Sequence, residues 1–163
     1  MTVEIPLTRG HVALVDDVDG WLLRLWKWHA HSGRGGIWYA MRQEGSGSRR
    51  VSIMMHRQLT DAPNHLDVDH ADGNGLNNQR SNLRVCSTRF NMANNRRRAG
   101  LSGYRGVQWL PAQNKWRAYI SAPDRQLHLG VFSSKEDAAR ARDLAARGMF
   151  GEFAVLNLRE DAP

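Results

Sequence analysis

The sequence is poor in cysteine and lysine and has no long apolar run. Cys86 is the single cysteine among 163 residues, which excludes an internal disulfide and suits a reducing cytoplasm. No hydrophobic stretch approaches the length of a membrane span, and the polar, acidic start MTVEIPLTRG lacks the features of a signal peptide. We therefore expect a cytoplasmic protein without a membrane partner.

The charge of the chain is strongly basic. The sequence has 23 Lys and Arg residues against 16 Asp and Glu, a net charge of +7, and all but three of the basic residues are arginine. The planar fork of arginine suits phosphates and guanine edges. A GC-rich genome also replaces lysine by arginine, which would explain the arginine excess but not the net charge. The charge therefore favours a nucleic acid as the partner.

The first third of the chain predicts a small β-rich region. At 163 residues with six tryptophans, the chain can hold one medium domain or two small ones with packed cores. An acidic turn is predicted at 16–20 and a short helix from Met55. Apolar alternation predicts strands at 11–15, 21–29, 37–41 and 50–54.

The stretch 68–95 holds the densest set of residues able to do chemistry. Val-Asp-His at 68–70 and the apolar run at 82–85 predict a hairpin around the glycine-rich turn at 72–75. Ser87 or Thr88 can then cap a short helix that carries Asn91 and Asn95 on one face. The expected order is hairpin, then helix.

Four residues of this stretch suit a metal-assisted hydrolase: Asp69, His70, Asn82 and Asn91. Asp and Asn offer hard oxygens for Mg²⁺ or Mn²⁺, whereas one cysteine cannot build a thiolate zinc cage. His70 is the natural proton acceptor for an attacking water. Neighbouring residues of a regular strand point to opposite faces, so Asp69 and His70 converge only if the strand ends or bulges there. The alternative is a generic turn with a hydrogen-bonded surface pair.

The ordered set of Asp-His, Asp-Gly-Asn-x-Leu-Asn-Asn, Asn-Leu-Arg and an Asn-bearing helix resembles the HNH endonuclease family, in the subtype that ends in Asn. The resemblance implies a ββα-metal motif and one-metal hydrolysis of a phosphodiester. Asp69 and Asn91 would hold Mg²⁺ or Mn²⁺, with Asn95 as a reserve ligand. His70 would activate water and Asn82 would fix the loop that presents it. Arg84 is a candidate for a phosphate contact.

The resemblance extends towards the N-terminus. Met55-His56-Arg57 precedes the Asp-His motif, as in HNH relatives of this kind. His56 could approach the DNA or the site, and a packing role is an equal alternative. Such proteins are typically phage-borne or intron-borne, which by analogy predicts a homing-type enzyme in the cytoplasm of a bacterial or phage-infected cell.

A polar segment follows the candidate site and predicts a domain boundary. Three consecutive arginines, Arg96, Arg97 and Arg98, lie just before Gly100 and Gly103. They could neutralise backbone phosphates without reading sequence. The alternative is an ordinary solvated linker. We predict contact with DNA.

The last third predicts a sheet covered on one side by a helix. Strands are expected at 104–109, 116–121 and 126–132, and a helix at 135–147. Ser133 and Glu136 form a capping-box pattern, and Gly148 is the expected stop. Alternation turns Trp116, Ala118 and Ile120 towards the helix. The residues expected on the open face are Arg117, Tyr119, Ser121, Gln126 and His128.

Four segments of this region resemble the AP2/ERF DNA-binding domain. They are Gly-Tyr-Arg-Gly-Val, Lys-Trp-Arg-Ala-Tyr-Ile, His-Leu-Gly-Val-Phe and the closing Ala-Val-Leu-Asn-Leu. This resemblance implies a sheet lying in the major groove of DNA. The residues it turns towards DNA are Arg105, Gly106, Gln108, Tyr119, Ser121, Gln126 and His128, and Arg117 joins them by alternation alone. Leu110, Tyr119, Ser121, Gln126 and His128 depart from the plant pattern, so no plant target sequence carries over.

The sequence thus predicts an α+β protein with an HNH nuclease domain at 1–98, a linker at 99–103, an AP2-like domain at 104–158 and a tail at 159–163. The expected function is site-directed cleavage of double-stranded DNA. One set of site residues, without an internal repeat or heptad pattern, favours a monomer that nicks one strand. The alternatives are a DNA-binding regulator with a vestigial HNH half and an RNA-binding protein, although A-form RNA closes its major groove to a sheet.

Overall fold

The computed structural model describes residues 1–93, 100–122 and 125–158, and these residues form an α+β fold of small antiparallel sheets with short helices. This confirms the predicted fold class. The chain divides into two compact units, Met1–Asn91 and Met92–Pro163. The boundary predicted at residue 98 lies among residues 94–99, outside the described residues, and stays a prediction. No helix in the described ranges is long and apolar enough to cross a membrane.

The first unit opens with a hairpin and a helix. Strands β1 (Thr2–Pro6) and β2 (Val12–Asp16) pair antiparallel, and α1 (Asp17–Leu23) follows without a loop. The acidic turn predicted at 16–20 is therefore wrong, and so is the strand predicted at 21–29, of which only His29 lies in a strand. Asp17 and Asp19 occupy the first turn of α1, where carboxylates oppose the positive end of the helix dipole.

A three-stranded sheet follows in the order β3-β4-β5. Its strands are β3 (His29–Ser32), β4 (Trp38–Glu44) and β5 (Val51–Met54). The predicted strands at 37–41 and 50–54 are confirmed with shifted ends. Helix α2 (Met55–Thr60) begins directly after β5, as expected. Because no loop separates β5 from α2, the sheet determines where α2 lies.

The first hairpin with α1, and the three-stranded sheet with α2, share one hydrophobic core. Its fully buried residues come from the hairpin, the two helices, the sheet and the segment before β3: Ile5, Ala13, Val15, Leu23, Trp28, Ala40 and Met55. Trp28 also donates its indole N–H to the carbonyl of Leu23 at 2.8 Å, which satisfies the one polar atom of a buried tryptophan. This core is the scaffold on which the following hairpin is held.

The predicted hairpin and helix are confirmed. Strands β6 (Asp67–His70) and β7 (Leu83–Cys86) pair antiparallel, and α3 (Thr88–Ala93) follows. The long loop between the strands is bonded to β2. Leu14 donates its N–H to the carbonyl of Leu76 at 2.9 Å and accepts from the N–H of Asn78 at 2.7 Å. The loop therefore runs beside β2 like a short extra strand.

The second unit is a three-stranded sheet in the order β10-β9-β8 with one helix on it. Its strands are β8 (Val107–Leu110), β9 (Lys115–Ser121) and β10 (Gln126–Phe132), and the helix is α4 (Lys135–Phe150). The prediction that the first strand begins at 104 is wrong, because a turn ends at Gly106, whose φ is +71°. The turn predicted at Pro123 and Asp124 lies outside the described residues.

The ends of α4 differ from those predicted. Ser134, not Ser133, is the N-cap, and its hydroxyl accepts from the N–H of Asp137 at 3.0 Å. Gly148 lies inside the helix, and Gly151 is the C-cap with φ +53°. The cap lies one residue and the stop three residues after the predicted positions, because a second serine matches the cap pattern and an isolated glycine does not have to end a helix.

Candidate functional site

The Asp-His pair lies at the end of β6 and is buried. Asp69 and His70 are each 5% exposed, and His70 is the last residue of the strand. The sequence argument required the strand to end or bulge at this point, and it ends there. The glycine-rich turn that follows begins with a bond from the N–H of Gly73 to the carbonyl of His70 at 2.8 Å.

Asp69 is paired with the arginine opposite it on β7. Arg84 donates from Nε to Oδ2 of Asp69 at 3.1 Å and from Nη2 to the same oxygen. Burying a carboxylate is costly unless a charge partner accompanies it, and Arg84 supplies that charge. The guanidinium that the sequence assigned to a phosphate contact therefore lies on the candidate metal ligand.

Asn91 reaches back to the same hairpin from α3. Its Nδ2 donates to Oδ2 of Asp67 at 3.1 Å. Asp67 and Asp69 are two residues apart on β6 and so lie on one face of the strand. Because this bond uses the amide nitrogen, it favours an orientation in which the amide oxygen of Asn91 is available as a ligand. The sequence argument missed Asp67.

His70 lies in a ring cluster with Tyr39 of β4 and His56 of α2. The ring centroid of His70 is 5.1 Å from that of His56 and 5.8 Å from that of Tyr39. Burial lowers the pKa of His70, while Asn78, Asp72 and Asp69 oppose the shift. A neutral imidazole is the form that can accept a proton.

His56 and Tyr39 are perturbed as well. Burial, followed by the neighbouring His70 and Arg57, lowers the pKa of His56 to about 3. Burial and then the charge of Asp69 raise the pKa of Tyr39. Both rings are therefore neutral around pH 7. Of the two roles left open for His56, the structure brings it to the candidate site.

Asn82 is bonded into the loop after β6. Its Oδ1 accepts from the N–H of Asp72 at 3.0 Å, and its Nδ2 donates to Oδ1 of Asp72 at 3.0 Å and to the carbonyl of Asn77 at 2.8 Å. Its own carbonyl accepts from the N–H of Ala71 at 2.9 Å, one residue after His70. These contacts suit a residue that fixes the loop beside His70.

The donors around Asp69 suit a hard cation better than zinc. Among the described residues, no three side chains of His, Cys, Asp or Glu come together as a metal-binding group. Mg²⁺ keeps several waters and commonly takes only one or two carboxylates besides substrate phosphates. Asp69 offers a carboxylate and Asn91 an amide oxygen, which are the types of donor that such an open site uses. The residues present are therefore compatible with Mg²⁺ or Mn²⁺.

The open face of the second sheet carries the polar residues expected there. The register pairs Gln108 with Arg117, Tyr119 with His128 and Ser121 with Gln126. The opposite face holds the buried Val107 and Ala118, against which α4 packs. Because paired residues project to the same side, the six polar residues share the face away from the helix.

Arg117 lies across this face. Its Nη2 donates to Oε1 of Gln126 at 3.1 Å, and its guanidinium lies 5.5 Å from the ring centroid of Tyr119. Its Nε is buried and has no hydrogen-bond partner within the described ranges. Gln108, Gln126 and His128 are exposed. The face therefore presents side chains that can both donate and accept hydrogen bonds.

Arg105 and Gly106 precede β8 in a turn. Asn157 accepts from the N–H of Arg105 at 2.7 Å and donates to its carbonyl at 2.9 Å. Asp143 of α4 in turn accepts from the N–H of Asn157 at 2.7 Å. A side chain at Gly106 would put its Cβ 2.3 Å from the carbonyl oxygen of Tyr119, so only glycine fits there.

Four predicted residues lie outside the described residues. They are Arg96, Arg97 and Arg98, assigned to DNA, and Asn95, the reserve ligand. Their assignments stay predictions.

Asp67 and Tyr39 were missed because their contacts depend on strand pairing and on a neighbouring sheet. The alternation Asp67-Val68-Asp69 was the one local signal for Asp67.

Comparison with known proteins gives matches to two kinds of protein. An uncharacterized HNH endonuclease of Acanthamoeba polyphaga mimivirus is 32% identical over 95 residues, which are 58% of this chain and 49% of the relative. Dehydration-responsive element-binding protein 2C of Arabidopsis thaliana is 46% identical over 66 residues, 37% of this chain and 18% of the relative. An AP2-like ethylene-responsive transcription factor of the same plant is 43% identical over 60 residues, which are 36% of this chain and 12% of the relative.

No protein-family model matches the chain. The chain spans about half the length of the HNH relative (49%) and less than a fifth of each plant relative (18% and 12%). The homologues therefore include an HNH endonuclease and AP2-type transcription factors, each over part of the chain. Both resemblances that the motifs indicated are supported to that extent.

Proposed function

We propose that this chain is a metal-dependent DNA endonuclease of the HNH type, in which the second unit binds the target. The observation that carries the proposal is the buried Asp69–His70 pair at the end of a strand in a ββα hairpin. The HNH relative supports a nuclease, and the plant relatives support DNA binding. Site-directed, homing-type action is the finer part of the proposal.

His70 is the general base. Its imidazole accepts the proton of a water as that water attacks the phosphorus atom. Burial lowers its pKa, which keeps the ring neutral and ready to accept a proton near pH 7. Asn82 keeps the loop after His70 in place through its bonds to Asp72 and Asn77. The base is thereby presented at a defined position.

Asp69 and Asn91 are the ligands we assign to Mg²⁺ or Mn²⁺. A bound ion would polarise the scissile phosphate and stabilise the leaving 3′-oxygen. Arg84 neutralises Asp69 in the structure, so metal binding has to share or displace that guanidinium. Once displaced, Arg84 would be the cation that β7 offers to a substrate phosphate.

The test of the nuclease is cleavage of supercoiled DNA in Mg²⁺ by the purified protein. His70→Ala and Asp69→Asn should each abolish cleavage while DNA affinity stays within about twofold, because affinity rests on the arginines and the second unit. His65→Ala is the matched control, since His65 is exposed. EDTA should stop the wild-type reaction. Full cleavage by His70→Ala would refute the assignment.

The role of the second unit in recognising the target is tested by a change of preference among DNA sequences. Gln126→Ala and His128→Ala should alter the choice among target sequences more than the overall affinity, if these side chains reach base edges. Gln113→Ala, on the exposed turn between β8 and β9, is the control. Unchanged preference in both variants would count against the sheet as the reader.

We also propose that a monomer nicks one strand. One chain offers one Asp-His pair, and cutting both strands would need two sites related by a dimer axis. In a time course on supercoiled plasmid, open circles should accumulate and resist further cutting. Linear product with second-order dependence on protein concentration would contradict the nickase.

The second candidate is a DNA-binding regulator that does not cut. The ion pair between Arg84 and Asp69 favours it, because a guanidinium on the carboxylate competes with a metal. This candidate predicts tight DNA binding with no cleavage at any concentration of Mg²⁺ or Mn²⁺. The plasmid assay therefore separates the two.

A further inference from the structure

We propose that Tyr39 and His56 are positioning residues that hold the imidazole of His70 in one orientation. The inference rests on the proposed role of His70 as the general base. Neither residue belongs to the hairpin: Tyr39 comes from β4 and His56 from α2. They reach the site from the sheet and helix that precede it in the chain.

The three rings form a closed set of contacts. His56 meets His70 with centroids 5.1 Å apart and an interplanar angle of 86°, an edge-to-face arrangement. Tyr39 lies 5.8 Å from each histidine, at 64° to His56 and 57° to His70. Such tilted and edge-to-face contacts are the ones aromatic rings prefer. Rotation of the His70 ring would break contacts with both neighbours.

Tyr39 is itself held between two glycines. A Cβ on Gly33 would lie 2.6 Å from the Tyr39 ring, and a Cβ on Gly75 would lie 2.5 Å from it. Gly75 belongs to the loop that follows His70. The ring therefore fills a slot that only glycines leave open, and one wall of that slot is the loop of the candidate site. A defined place for Tyr39 also defines where it meets His70.

His56 acts through its ring. Its Nδ1 is buried and has no hydrogen-bond partner among the described residues, so no directional polar contact there explains its place. Burial keeps the imidazole uncharged, with a pKa of about 3. An uncharged aromatic ring of similar size should therefore replace it in the contact with His70.

The consequence for catalysis is geometric. A general base has to reach its proton within hydrogen-bond distance, and a displacement of about 1 Å can slow a reaction roughly 100-fold. His70 ends a strand of four residues and is followed directly by a loop, so contacts from outside its strand have to hold its ring. Asn78 supplies a side-chain hydrogen bond, and Tyr39 and His56 supply the ring contacts.

The variants separate ring shape from mere stability. His56→Ala and Tyr39→Leu remove a ring, and we expect single-turnover cleavage to slow by about 10- to 100-fold with DNA affinity unchanged. His56→Phe and Tyr39→Phe keep a ring and should restore the rate to within about threefold of wild type. His65→Ala, an exposed histidine outside the ring cluster, is the control. If His56→Ala does not fold, His56→Leu replaces it.

A second measurement does not depend on cleavage. In protein labelled with ¹⁵N at histidine, the His70 signals are assigned by their loss in His70→Ala. They should be single and sharp in wild type and in His56→Phe, but broadened or doubled in His56→Ala. A change of rate without a change of these signals would overturn the positioning role.

The two measurements keep the inference apart from the proposed function. If the wild-type protein does not cleave, the nuclease proposal fails, while sharp His70 signals that depend on the two rings still support positioning. If wild type cleaves, His70→Ala does not, and His56→Ala and Tyr39→Leu cleave at the wild-type rate, the nuclease stands and the positioning role is refuted.

Discussion

Asn82 offers the sharpest test of how the candidate site is built. Its side chain is 8% exposed and makes three hydrogen bonds inside the loop, two with Asp72 and one with Asn77. Each such bond contributes about 1 kcal/mol net, so Asn82→Ala should lower the free energy of unfolding by about 3 kcal/mol. The same change should slow cleavage, because the loop adjoins His70.

The matched control is Asn74→Ala in the same loop. Asn74 is exposed and its Oδ1 accepts a single bond, from the N–H of Leu76 at 3.1 Å. We expect a loss of at most about 1 kcal/mol. Four of the six tryptophans lie in the first unit, so urea unfolding followed by tryptophan fluorescence reports mainly that unit. A loss of about 3 kcal/mol corresponds to a urea midpoint about 1 to 3 M lower. Equal midpoints for the two variants would refute the reasoning.

Three further predictions concern stability, each read by urea unfolding. Asp19→Asn should cost about 1 to 3 kcal/mol, because buried Asp19 accepts from Arg80 at 2.7 and 2.8 Å, whereas exposed Asp17→Asn should cost less than about 1 kcal/mol. Gly148→Ala should stabilise the second unit by about 0.5 to 1 kcal/mol, since it lies inside α4 with nothing within 4 Å of the added Cβ. The depressed pKa of His56, about 3 against 6.5, means that the unfolded chain binds its proton first. The free energy of unfolding should therefore fall as pH drops from about 6.5 towards 3, by up to about 1.4 kcal/mol per pH unit. In His56→Phe, which cannot bind this proton, the contribution of His56 to that pH dependence should disappear.

The hairpin and helix of the first unit were predictable from local signals. The turn at 72–75, the two short apolar runs and a Ser-Thr cap are all adjacent in sequence. The partners of the site were not. Tyr39 and His56 lie about 30 and 14 residues before His70, and their approach depends on how β4 and α2 pack. No periodicity within either element points to a histidine elsewhere in the chain.

Helix α1 shows why a strand was predicted where none exists. Strand alternation would put Trp21, Leu23 and Leu25 on one face, but Leu23 is buried while Trp21 and Leu25 are each 68% exposed. Periodicity predicts secondary structure only where apolar residues are buried. The acidic residues Asp17 and Asp19 were the better signal, since they favour the first turn of a helix.

The second unit was more predictable because its contacts are more local. Three antiparallel strands connected by short turns pair with their neighbours in sequence, and α4 packs directly on them. Alternation placed Arg117, Tyr119 and Gln126 on the open face, as the register has them. The network that joins Arg105, Asp143 and Asn157 was not predictable, because it joins the first turn of the unit to its last residues.

The short hairpin of the candidate site explains why the N-terminal region accompanies it. Strands β6 and β7 have four residues each, and an isolated two-stranded hairpin is at best marginally stable in water. Yet it has to keep a carboxylate and an imidazole buried, which is unfavourable unless their surroundings are fixed. The backbone bonds between Leu14 and the loop, and the bonds that Arg80 donates to Asp19, supply that restraint from the first hairpin and α1. Tyr39 supplies it from the sheet. The N-terminal elements therefore act as the frame of the site, and a ββα hairpin expressed without them should lose the ordered His70 even if its own residues are intact.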